Sequence, residues 1–146
     1  MSLALDDQER REFLADVHVG VISIARDGDR APLTVPIWYD YAAAADDVVT
    51  VITPRESLKA RLITAANRFS LCAQTEEPPY RYVSVEGPVS SIEPLTDRGQ
   101  LAALAGRYLP PEFVDLYMDN GAGTDSVVIR MRPQRWLSTD FRKLLG

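Results

Sequence analysis

Six β-branched, apolar runs, each closed off by turn residues, set what this chain can fold into. Residues 17–25 read VHVGVISIA, and Arg-Asp-Gly-Asp at 26–29 follows as a strong turn signal. Residues 31–41 alternate: Leu33, Val35, Ile37, Tyr39 and Tyr41 share one face, and Thr34, Pro36, Trp38 and Asp40 the other. Residues 48–53 follow an Ala/Asp connection and complete a run of three strands joined by short loops, the signature of an antiparallel meander. Residues 69–74, 81–92 and 127–137 supply three more strands, with Pro88 and Pro133 marking an edge or a bulge in the last two.

Helices are predicted between these runs. Asp6 and Asp7 open one over 6–15, and Ser57 caps one over 57–66 in which Leu58, Leu62 and Ala65 fall at i, i+4 and i+7. Thr96 is the predicted cap of another, with Leu101, Leu104, Ala105 and Tyr108 on its apolar side. Pro110-Pro111 stops it, and Phe113, Leu116 and Tyr117 mark a short helix beyond. This order is not a βαβ repeat. It predicts an α+β fold, a closed or partly closed antiparallel β-barrel with a few short helices, in one domain over residues 1–146.

Composition excludes several functions. A net charge of −5 argues against a nucleic-acid partner, because phosphate binding favours a basic domain. No apolar run approaches the roughly 18 residues of a membrane span, and the start, MSLALDDQERRE, has neither the basic end nor the apolar stretch of a signal peptide. Cys72 is the lone cysteine and His18 the lone histidine, so an intrachain disulfide and a zinc constellation are both out of reach; no metal is expected. The expected location is cytoplasmic.

The stretch richest in chemistry is TVITPRESLKAR at 50–61. A helix N-terminus carries partial positive charge, so cations there are misplaced by a few tenths to about 1 kcal/mol. Arg55, Lys59 and Arg61 nevertheless crowd the start of the helix at 57–66, with only Glu56 to offset them. Two readings fit: the cations point into solvent and pair with Glu56, or an anion docks there on the free N–H groups, the Ser57 hydroxyl and the cations. Trp38, opposite the aliphatic stripe, suits either edge packing or the cover of a planar ligand. Tyr80, Tyr82 and Glu86 suit a solvated face. There is no G-x-G-x-x-G, no phosphate-binding Walker loop and no persuasive nucleophile–histidine–acid set. A cradle without a triad suits cofactor chemistry, in which the protein supplies position and electrostatics.

In order, GVISIARDGDRAPLTVPIWYDY, VVTVITPRESLKARLITAANRFSLCAQ, YRYVSVEGPV and RWLSTDFRK resemble the pyridoxamine 5′-phosphate oxidase-like, FMN-binding split-barrel family, and more narrowly its flavin/deazaflavin oxidoreductases. The resemblance covers about residues 17–143. It implies a six-stranded split barrel that forms a homodimer, with cofactor at the interface. It implies FMN or the deazaflavin coenzyme F-420 as cofactor, and hydride exchange with an unsaturated or quinone-like small molecule. On its terms Ser57 and Lys59 bind the cofactor phosphate, Ile52 and Thr53 line the same pocket, and the backbone of Val35, Pro36, Ile37 and Trp38 runs along the ring. Gln74 and Trp136 match positions that reach the cofactor. The chain lacks the arginine- and histidine-rich C-terminal motif of true pyridoxamine phosphate oxidases, which argues against vitamin B6 oxidation. Arg55, Lys59, Arg61 and Arg68 suit the polyanionic tail of the deazaflavin. Catalytic residues are unassigned, with Tyr80 and Tyr82 as candidate proton donors. The alternative function is a non-catalytic carrier of flavin, deazaflavin or haem, with His18 as the haem ligand; a third is an interaction module that binds no chromophore.

Overall fold

A computed structural model describes residues 2–43 and 47–146. The N-terminal helix α1 (Asp7–Ala15) begins with a reciprocal cap. Asp6 accepts the N–H of Glu9, and Glu9 accepts the N–H of Asp6. The strands are β1 (Gly20–Ile24), β2 (Leu33–Ile37), β3 (Asp40–Ala42), β4 (Val48–Pro54), β5 (Arg68–Gln74), β6 (Arg81–Pro94), β7 (Ser126–Met131) and β8 (Arg135–Asp140). Helix α2 (Leu58–Ala66) lies between β4 and β5, and α3 (Arg98–Gly106) and α4 (Pro111–Asp119) lie between β6 and β7. A short 3-10 turn, Phe141–Leu144, follows β8.

All pairings are antiparallel, in the order β2-β1-β5-β6-β7-β4-β3, with β8 added to β6. The sheet curls because one long strand serves both halves. Arg81–Glu86 of β6 pairs with β8 while Tyr82 to Pro88 faces β5; from Val89 onward, with a register shift between Val89 and Ser91, β6 pairs with β7. Gly87 sits at that handover. A Cβ there would lie 1.8 Å from the carbonyl oxygen of Arg132, so only glycine lets the segment linking β7 and β8 cross so close. The result is an α+β split barrel.

The six predicted runs become eight strands, and both breaks have a local cause. The run at 31–41 divides at Trp38-Tyr39, where the N–H of Tyr39 donates to the Tyr108 hydroxyl instead of to a neighbouring strand. That hydroxyl also lies 2.8 Å from the carbonyl of His18 and 3.0 Å from that of Tyr39. The run at 127–137 divides at 132–134, where Pro133 has no N–H to give. Helix α3 begins one residue later than predicted: Asp97, not Thr96, accepts the N–H of Gly99, at 2.8 Å.

Inside the curl lie Leu14, Ile22, Ile24, Tyr39, Ile63, Leu71, Val83, Ile129 and Met131, all fully buried. Helix α2 contributes Ala60 and Ile63 and ends on Asn67 in the left-handed region, φ 57°. Among the described residues no helix is long and apolar enough to cross a membrane, and no cluster of three metal-ligating side chains occurs.

Candidate functional site

Where β2 and β4 end beside α2, the structure forms a cleft of about 420 Å³. Pro36, Ile37 and Trp38 from β2 and its extension line one wall, and Ile52, Thr53 and Pro54 from β4 another. Lys59 stands at the α2 end, and Val19, Leu101, Leu104 and Tyr117 complete the lining. Trp38 is held by stacking on Tyr108 at 5.2 Å and 6° and by an edge contact with Tyr117 at 5.6 Å. Both earlier readings of Trp38 therefore meet in one residue: it packs on Tyr108, just past α3, and on Tyr117 of α4, and still faces the cleft.

At its α2 end the cleft meets the N-terminus of a helix. Ser57 caps the helix by accepting the N–H of Ala60 at 3.1 Å. Its hydroxyl lies 3.0 Å from that of Thr53, which is buried. Among the described residues the N–H groups of Leu58 and Lys59 donate to no backbone or side-chain acceptor, as the first turn of a helix leaves them. Two free amides, a hydroxyl pair and a lysine thus converge on one corner, with the helix dipole adding to their charge.

Among the described residues neither Lys59, Arg61 nor Glu56 belongs to an ion pair. Glu56 therefore does not neutralise the cluster. Arg55 does find a carboxylate, but across the fold: its Nε donates to Asp125 at 2.8 Å, while its backbone N–H donates to the Asp125 carbonyl. Arg68 lies past the other end of α2 and is spoken for by Gln134 at 2.9 Å and Glu86 at 3.7 Å.

A second cleft, of about 860 Å³, adjoins the first and shares Val19 and Pro36 with it. Gln74 and His18 line this second cleft, with Arg81 and Arg142. His18 stacks on Phe13 at 4.2 Å, and its Nε2 lies 3.0 Å from the Phe13 carbonyl, to which it donates; burial pushes its pKa down. A third, of about 280 Å³, opens from the first towards the glycine loop at 120–124, and no cation lines it.

Of the residues singled out in the sequence, the structure gathers Pro36, Ile37, Trp38, Ile52, Thr53 and Lys59 on one cleft, with Ser57 beside Thr53. Val35 is packed against the core instead. Gln74 lies in the adjoining cleft. Trp136 lines neither; it packs under α1, edge-on to Tyr41 at 6.2 Å, with the guanidinium groups of Arg10 and Arg11 over its ring at 4.7 and 5.3 Å. Arg55 and Arg61 are exposed outside the lining. Tyr80 and Tyr82 line neither cleft. Besides Pro54 at the end of β4, four residues that line it were not singled out as site residues: Val19, Leu101, Leu104 and Tyr117. Their apolar spacing in the sequence marks them only as packing residues.

No family model matches the chain, and no curated protein does. Solved structures do. An F420 reductase superposes with a TM-score of 0.70 at 22% identity, over 87% of this chain and 94% of the other. A conserved hypothetical protein of Mycobacterium tuberculosis reaches 0.74 at 22% identity, over 99% and 91%. A FAD-binding protein of Mesorhizobium loti reaches 0.62 at 20% identity, over 92% and 94%. The chain has their fold. The α2 corner and the apolar wall of the cleft come from the end of β2, at 36–38, and from the β4–α2 junction, at 52–54 and 57–59.

Proposed function

We propose that this chain is a flavin- or deazaflavin-dependent oxidoreductase of the pyridoxamine 5′-phosphate oxidase-like group. The observation that carries the reading is the corner at α2. There an unpaired Lys59 and two unused amides close one end of an apolar cleft walled by Pro36, Ile37 and Trp38. Solved proteins that share the fold include an F420 reductase and FAD-binding proteins, which supports the same reading.

The residues present fit such a group. Lys59, the amides of Leu58 and Lys59 and the Ser57 hydroxyl would hold its phosphate by charge-assisted hydrogen bonds. Pro36 removes one backbone donor from the wall that a ring would lie against, and Ile37 and Trp38 keep water from it. When bound, the ring supplies the two-electron chemistry: a hydride given to a conjugated C=C or quinone, with a proton from solvent completing the reduction. What the protein adds is position. No cation lines the third cleft and Lys59 is the cation that lines the first, which gives a polyglutamate tail no extra partner there, so FMN and F-420 stand level as cofactors. A homodimer in the cytoplasm, with the open cleft completed by the second copy, is part of the proposal, and light scattering on the eluting protein tests it.

The direct experiment is titration of the purified chain with FMN and with F-420, followed by absorbance and fluorescence. One of them should saturate. Lys59→Ala should weaken that binding by about 1–3 kcal/mol, roughly five- to 150-fold in Kd. Absence of saturation with both chromophores would remove the proposal.

A further inference from the structure

The larger cleft carries a feature that the cradle leaves unexplained. Two arginines line it, and they are in opposite states. Arg142 is paired: its Nε and Nη2 donate to Asp140 at 3.0 and 2.8 Å. Arg81 is not. Its guanidinium rests on the ring of Phe13, 5.0 Å from the centroid, and among the described residues no carboxylate lies within 4 Å of it. Its backbone is pinned by exchange with Thr75, whose N–H donates to the Arg81 carbonyl and whose hydroxyl oxygen accepts the Arg81 N–H, so the side chain starts from a fixed point. A guanidinium positioned on an aromatic face, with its planar fork of N–H donors unused, is preorganised for an oxyanion with two coplanar oxygens.

The surroundings narrow the ligand further. Val17, Val19 and Val21 give the cleft an apolar wall, and the first two are about half exposed, at 52% and 54%. Exposed apolar side chains beside a free cation suit a ligand that is itself apolar with one charged end. Glu76 and Glu77 also line the cleft, and both are exposed. They repel a second negative charge, so a monocarboxylate is favoured over a phosphate dianion. The cleft meets the cofactor cleft at Val19 and Pro36. A molecule anchored at Arg81 therefore extends towards the wall against which the ring would lie.

We infer that the larger cleft is the substrate subsite and that Arg81 in it binds the carboxylate of a conjugated, planar monocarboxylic acid. The role of Arg81 is specificity; it moves no proton. The inference rests on the cofactor reading for the word substrate, while the anion site itself is independent of it.

The test uses trans-cinnamate and its uncharged amide, cinnamamide, as a matched pair that differs by one charge. Each is titrated calorimetrically into the purified chain, with and without the chromophore that binds. Cinnamate should bind at least ten-fold more tightly than the amide. Arg81→Gln should abolish that preference and leave amide affinity and chromophore affinity unchanged; Arg81→Lys, which keeps the charge but loses the fork, should restore part of it. Arg142→Gln should leave the preference in place. Equal affinities in the wild-type protein, or a preference that survives Arg81→Gln, would overturn the inference. So would a preference lost in Lys59→Ala and kept in Arg81→Gln, because the anion would then sit in the cradle. If neither chromophore binds and the Arg81-dependent preference persists, the anion site stands and the cofactor reading falls.

Discussion

Two clusters of basic residues on short helices look alike in the sequence and turn out as opposites in the structure. On α1, Arg10 pairs with Asp7 at 2.9 Å, and Arg11 with Asp7 at 3.1 Å and with Asp47, the residue before β4. Arg11 also donates to the Tyr41 hydroxyl at 2.9 Å, and Tyr41 donates to Asp47. Both arginines cover the Trp136 ring. At the start of α2, only Arg55 finds a carboxylate, and Lys59 and Arg61 find none among the described residues. The first cluster clamps a helix to the barrel. The second leaves positive charge beside the positive end of a helix dipole, which lowers stability unless an anion is bound. Compensated charge is structural here, and uncompensated charge marks the place to look for a ligand.

The largest effect expected from this contrast is on stability. Arg11→Ala removes three charge-assisted hydrogen bonds and the packing on Trp136, and should destabilise the fold by about 2–3 kcal/mol in urea denaturation. Chromophore affinity should not move, since none of these residues lines the cleft. A change in Kd without a change in stability would break the contrast at its stronger end.

Lys59→Ala should do the reverse. With a misplaced cation removed, the apo protein should be unchanged or more stable by a few tenths of a kcal/mol, even as chromophore affinity falls by the 1–3 kcal/mol given above. A destabilised apo protein would mean that Lys59 is already doing structural work. Arg55→Ala sharpens the same point. Its pair with Asp125 is about half exposed on both sides, so its loss should cost roughly 0.2–1 kcal/mol of stability, with a smaller change in Kd than Lys59→Ala gives.

The difference between the clusters was only half legible in the sequence. The crowding of Arg55, Lys59 and Arg61 after a strand and before a capped helix could be read directly, because Ser57 and the apolar i, i+4, i+7 spacing locate the helix start. The Arg55 partner could not, because Asp125 is 70 residues away and is brought in by the pairing of Pro54 with Ser126. The strands were legible for the same local reason: alternation reports which face is buried. Their breaks were not. Tyr108 interrupts the strand at Tyr39 from the turn after α3, 69 residues on, and no pattern within 31–41 records that contact. The cleft wall followed the same rule. Pro36, Ile37 and Trp38 stand out by type, whereas Leu101, Leu104 and Tyr117 read as ordinary core until α3 and α4 are seen to close over Trp38.

The smallest predicted effect carries the contrast into the second cleft, where Arg142 is paired and Arg81 is free. Asp140 is buried, and the Arg142 guanidinium, with a smaller contribution from the charge of Arg81 on the neighbouring strand, holds its carboxyl below its ordinary value of 3.8. In the unfolded chain that carboxyl takes up a proton as the pH drops past 3.8, while in the folded protein it stays ionised to a lower pH. The unfolded state therefore binds more protons across this window, and stability falls as pH falls through it. Asp140→Asn keeps the cap on Arg142 and removes the charge. At neutral pH it should lose less than about 1 kcal/mol, because Arg142 is half exposed and the pair is screened. The gap between wild type and variant should stay constant from pH 7 down to about 4 and close below it, measured by urea denaturation at each pH. A gap that persists unchanged at pH 3 would mean that the Asp140 charge is not linked to folding, and that its hydrogen bonds alone account for the difference.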